Sequence, residues 1–124
     1  MMKCPMCGRE LLVSRRLFYL NSGDVIVVSM SCSCGYHSES VLGFGTSPST
    51  FEFSLDDNAV VVLSKNADVL IGGVKIDHPI GVMDVPSFAD RVRSMFGKQL
   101  REVPSNYVHV YDPSGASGII QKTE

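Results

Sequence analysis

The sequence predicts a mainly β fold, an N-terminal zinc ribbon followed by an antiparallel β domain with one helix, and three observations carry that prediction. All four cysteines of the 124-residue chain fall in two close pairs, Cys4/Cys7 and Cys32/Cys34. Beyond them the chain breaks into short β-branched and apolar runs separated by Gly, Asp, Asn and Pro signals. A single segment, following Pro86, carries helical periodicity.

The cysteine pairs come first. Cys4-Pro5-Met6-Cys7-Gly8 and Cys32-Ser33-Cys34-Gly35 each place two thiols on a tight, glycine-containing turn. Two such turns can complete a tetrahedral S4 shell, which Zn2+ accepts without redox chemistry. One structural zinc on Cys4, Cys7, Cys32 and Cys34 is therefore expected. Disulfides, a redox Cys-x-x-Cys and four unrelated thiols are the competing readings. The redox motif wants a βαβ context, and none surrounds these residues. The second pair has one intervening residue where ribbons usually have two, so His37 stands close enough to replace Cys32 or Cys34 as a ligand.

Between the pairs, residues 11–20 and 25–30 read as strands joined by the turn Asn21-Ser22-Gly23-Asp24, and residues 36–42 as a third strand leaving the knuckle. A composition break at residues 43–49 places the boundary between a ribbon at 1–43 and a β-rich domain at 44–124. In the second part, residues 50–55 alternate with period two, and residues 59–64 form an apolar run suited to a strand buried on both faces. Short strands follow at 69–71, 74–76 and 80–83, the first ended by Gly72-Gly73. The helix is expected near residues 87–97, with Ser87 as N-cap and Gly97 as left-handed terminator. Phe88, Val92, Met95 and Phe96 share its apolar face. Strands at 108–111 and 118–121 close the chain around the turn Asp112-Pro113-Ser114-Gly115. Short strands without intervening helices imply a sandwich, jelly roll or barrel.

Composition narrows the function. A formal net charge of -2 argues against a whole-chain nucleic-acid footprint. No apolar run reaches the roughly 18 residues of a membrane span. The chain enters its metal knuckle at once, leaving no room for a signal peptide, and zinc-ready thiols suit a reducing cytoplasm. No nucleophile elbow or phosphate-cradling loop is present, so a non-enzymatic role is expected. His37, His78 and His109 are solitary and read as turn or surface residues.

Three segments together resemble the ZPR-type zinc-finger family. They are the CPMCG and SMSCSCGYHSES ribbon, the run from Asp56 through Asn58 to Ser64 followed by Ala67, and the late turn from Val110 to Ser117. Order and spacing agree across nearly the whole chain, which is similar to a single-copy, archaeal-like member with one zinc finger and one A-box. The resemblance implies a double-stranded β-helix (jelly-roll-like) A-box with a helical insertion. It also implies binding, and assistance in folding, of the translation GTPase elongation factor 1-alpha. The chain departs from the family pattern at the short second cysteine pair, at Ala59 and Leu63, where the family has basic residues, and at Ala116, where it has Asn. Apart from the resemblance, Lys3, Arg9, Arg15 and Arg16 make the ribbon locally basic, so an RNA- or ribosome-associated ribbon is the alternative function.

Overall fold

The alternating segments pair into two antiparallel sheets. The computed structural model describes residues 2–21, 23–44 and 47–123, so Ser22 of the predicted first turn and Gly45 and Thr46 of the predicted boundary lie outside the described residues. The first sheet has six strands in the order β3-β2-β1-β10-β5-β8. These are β1 (Leu12–Leu20), β2 (Gly23–Ser31), β3 (His37–Gly43), β5 (Val60–Leu63), β8 (Gly81–Asp84) and β10 (Gly118–Thr123). The second sheet, β4-β9-β6-β7, consists of β4 (Ser49–Ser54), β6 (Asp68–Ile71), β7 (Val74–Ile76) and β9 (Tyr107–Asp112). The helix α1 (Val85–Lys98) follows β8 directly. The fold is thus mainly β with one helix.

Sheet membership crosses residue 43. Strand β1 pairs with β2 along its whole length and also with the last strand, Phe18 opposite Thr123 and Leu20 opposite Ile120, with a register shift between Tyr19 and Leu20. The free edges β3 and β8 approach each other, so the six strands wrap into a nearly closed barrel. Gly81 makes that approach possible. Its φ is +117°, and an added Cβ would collide with the Glu39 carboxylate lying over it. Only glycine meets both demands.

Two apolar clusters fill the fold. The larger joins Phe51, Phe53, Leu63, Val69, Ile71, Val108 and Val110 from the strands to Val85, Phe88, Val92 and Phe96 of α1. The smaller joins Phe18, Leu20, Val25 and Val27 of the first hairpin to Val62 and Ala116. Leu63 and Ala116 are therefore core residues, and Ala59 packs at the edge of the larger cluster. A basic side chain at position 63 would bury its charge without a partner.

Both ends of the helix correct the sequence reading. The N-cap is Asp84, whose carboxylate accepts from the Ser87 N–H at 2.7 Å, with Pro86 in the first turn. Ser87 lies three positions past the cap because Pro86 is itself helical, as proline without an N–H can be in the first turn. Gly97 lies inside the helix, and the left-handed position falls to Leu100 at φ 54°. Arg101 N–H bonds the Phe96 carbonyl at 3.0 Å and Leu100 N–H that of Gly97 at 3.0 Å, a Schellman closure one turn beyond the predicted stop.

Asp112 is the other organising residue. It is fully buried, yet its carboxylate accepts from Ser64 Oγ at 2.5 Å, Ser117 Oγ at 2.6 Å, Ser114 Oγ at 2.6 Å and Ser114 N at 2.8 Å. Ser117 Oγ in turn accepts from Ser64 N at 2.9 Å, and Ser49 Oγ donates to Ser117 O at 3.0 Å. Burial alone opposes ionisation, but the hydroxyls of Ser114, Ser117 and Ser64 and the Ser114 N–H outweigh it and hold the carboxyl below its ordinary range. The predicted turn is real, and it ties β4, β5, β9 and β10 together.

Candidate metal centre

Each cysteine pair sits on a loop closed by its own backbone. In the first, Gly8 N–H bonds the Cys4 carbonyl at 2.9 Å and Cys4 N–H the Arg9 carbonyl at 2.7 Å. A bridge between Lys3 and Glu10 and a 2.9 Å bond from Leu11 N–H to the Met2 carbonyl close its base. In the second, Gly35 N–H reaches the Cys32 carbonyl at 3.0 Å, and Cys32 N–H the Tyr36 carbonyl at 2.9 Å. Gly8 at φ +75° and Gly35 at φ +99° supply the left-handed residue each turn needs to reverse within so few positions. The β1–β2–β3 ladder brings the loops together, and Arg9 clasps them by donating to Ser33 Oγ at 3.1 Å.

The four Sγ atoms all lie within 4.8 Å of one another. Cys4 and Cys34 are 3.6 Å apart, and Cys7 and Cys32 3.4 Å. Sulfurs around one Zn2+ at about 2.3 Å would be separated by about 3.8 Å, so the set fits a single tetrahedral ion. The four thiols are free, with no disulfide among them. Cys4 is buried, Cys32 half-buried, and Cys7 and Cys34 exposed. The one-residue spacing of the second pair does not keep its sulfurs out of the cluster. His37 stands apart from it, its Nε2 3.7 Å from Glu39 Oε1.

The protons of the cluster show why it suits a cation. The Cys34 N–H and then the Cys7 thiol lower the pKa of Cys32 to about 6. Its neighbours resist following. At Cys7 the Arg9 N–H favours the thiolate, but the adjacent Cys32 sulfur with the other two thiols pushes the pKa up to about 12. At Cys34 the Tyr36 N–H works the same way and is likewise overridden by Cys32, with a net rise. One thiolate forms easily, and each further one must sit beside it. A divalent ion turns that repulsion into attraction. A closed S4 shell leaves no position for substrate, so such a site holds structure.

The remaining sequence-predicted residues go elsewhere. His78 lies between two carbonyls, its Nδ1 2.9 Å from Pro79 O and its Nε2 2.9 Å from Ala67 O, and pins the β7–β8 connection through the nitrogen that carries the proton. His109 pairs across β9–β4 with Glu52 at 2.8 Å. Among the described residues the histidines and carboxylates form no second group able to hold a metal. Sequence reasoning missed Glu39, which lines a cleft with His37, Val82, Asp84, Phe88 and Arg91. Its only local signal was a charge in an otherwise half-apolar strand.

No protein-family model, curated protein or solved structure matches the chain.

Proposed function

We propose that the protein is a zinc-ribbon protein-interaction module of the ZPR type. One structural zinc on Cys4, Cys7, Cys32 and Cys34 orders the open end of the first hairpin, away from its turn. The observation that carries this reading is the gathering of all four sulfurs, from two separate turns, within 4.8 Å. In the same reading residues 44–123 form the jelly-roll-like A-box. The facing of β10-β5-β8 and the second sheet across the larger core supports it. The role is binding rather than catalysis. Met6 and Leu12, in and just after the first cysteine loop, are 76% and 74% exposed, and Met2 is 53% exposed, apolar surface in the same segment as Lys3 and Arg9 that suits a protein partner.

The client in this reading is a translation GTPase of the elongation factor 1-alpha type. The RNA alternative is weaker. Neighbouring positions on a strand point to opposite faces, so Arg15 and Arg16 cannot track one phosphate backbone together, and Arg16 already lies 5.1 Å from the Phe18 ring centroid. The test is titration of purified elongation factor 1-alpha with the zinc-loaded protein and with the Cys4→Ser/Cys7→Ser variant. Saturable binding by the first alone supports the reading. Absence of binding by both, with salt-sensitive RNA binding instead, would replace it with the alternative.

A further inference from the structure

The first hairpin and β3 are three adjacent strands of the six-stranded sheet, with one face in the smaller core and the other turned outward. Residues paired across antiparallel strands share a face, so the registers give the outward rows directly. They are Val13, Met30 and Ser38; Arg15, Val28 and Ser40; Leu17, Ile26 and Leu42; and Tyr19 beside Asp24, with Phe44 held to the Asp24 carbonyl at 3.2 Å. A solvated sheet face is ordinarily polar. This one is aliphatic at its centre, and Val13, Leu17, Ile26, Val28, Met30 and Leu42 belong to neither core cluster. Leu42 and Phe44 are 58% and 63% exposed.

Its charges are arranged with equal economy. Arg15 and Asp24 lie one on each side of the Leu17-Ile26-Leu42 row. Four strand positions separate their rows, about 14 Å, too far to pair within the chain, and neither side chain has an ion-pair partner among the described residues. We infer that this face binds a second copy of the chain by two-fold, face-to-face sheet packing. A two-fold axis running along the Leu17-Ile26-Leu42 row lays that row on itself. It also brings the Arg15 row of each copy over the Asp24 row of the other. Arg15 falls over Tyr19 and one strand spacing, about 4.8 Å, to the side of Asp24, a span the long arginine side chain covers, so two reciprocal ion pairs form around an aliphatic centre. An acidic helix or an RNA would satisfy Arg15 but leave Asp24 opposed or unpaired. A second copy carries on this same surface both the acid and the base that the two charges require, at the matching spacing. The face would bury on the order of 1,000 Å2 in total, the small end of specific interfaces, so micromolar self-association is expected.

Sedimentation velocity on the zinc-loaded protein and its charge variants tests this. The wild type is expected to dimerise reversibly. Arg15→Asp alone places two acids opposite each other at both contacts, and Asp24→Arg alone places two bases there. Each should weaken dimerisation by on the order of tenfold or more. An equimolar mixture of the two variants should dimerise again, because every position 15 then meets an opposite charge at position 24. That rescue cannot come from misfolded chains. A wild type that stays monomeric to several hundred micromolar, variants that dimerise as the wild type does, or a mixture that remains monomeric would overturn the inference.

Discussion

Asp112 shows how a single residue can join distant segments. Its carboxylate takes hydrogen bonds from Ser64, Ser114 and Ser117 inside the core. Replacing it with Ala leaves several buried hydroxyls without an acceptor, and a loss of about 3 kcal/mol in urea unfolding is expected. The pH dependence has a defined sign. A carboxyl whose folded pKa lies below the ordinary 3.8 contributes stability above that value, and loses it as pH falls through the lower, folded pKa. The wild type should therefore lose stability on acidification below about pH 4 more steeply than Asp112→Asn. Parallel curves for the two proteins would show that the serine hydroxyls do not hold the charged form. The local turn around Asp112 was legible in the sequence, since Asp, Pro, Ser and Gly each have a known place in one. Its bonds to Ser64 and Ser117 were not, because no local pattern says which distant serine a buried acid will meet.

At the scale of elements, strands were legible wherever period two or a β-branched run met a turn signal, as at 50–55 and 59–64. The helix was legible by its apolar face, while its ends were not. Gly97 looked like a stop because glycine is the usual left-handed residue, yet the closing hydrogen bonds put Leu100 in that conformation, with its side chain 96% exposed. Leu100→Gly should therefore stabilise the protein, by about 0.5–1 kcal/mol after the extra chain entropy of glycine is allowed for. A lower unfolding midpoint would mean that the side chain makes a contact outweighing its backbone strain. At Gly81 the reverse holds. Gly81→Ala meets both the φ of +117° and the Glu39 side chain, and should destabilise by about 1–3 kcal/mol. Adding Glu39→Ala should restore only the steric share. Full recovery would mean that φ contributes nothing.

For the whole molecule, the sequence order suggested a ribbon set apart from a β domain, whereas β1 pairs with both its hairpin partner and the final strand. Pairing between the first and last strands of a chain leaves no local trace. The consequence concerns metal loss. Phe18, Leu20, Val25 and Val27 are anchored in the smaller core, while the cysteine loops are held by few backbone bonds and the Arg9–Ser33 clasp. Chelation should therefore release residues 3–14 and 30–38 while the barrel end of the same strands stays folded. Hydrogen exchange before and after chelation checks this. Protection lost along the whole of β1 and β2 would show that the hairpin depends on the metal throughout.

The cysteine cluster itself was the most legible feature, because paired thiols on glycine turns have few other uses in that spacing. Native mass spectrometry of the freshly purified protein, with metal identified by elemental analysis, tests it most directly. One zinc per chain, absent from the Cys4→Ser/Cys7→Ser variant, is the predicted result. A metal-free mass with four freely alkylated thiols, and cysteine loops as well protected as in zinc-supplemented protein, would contradict it.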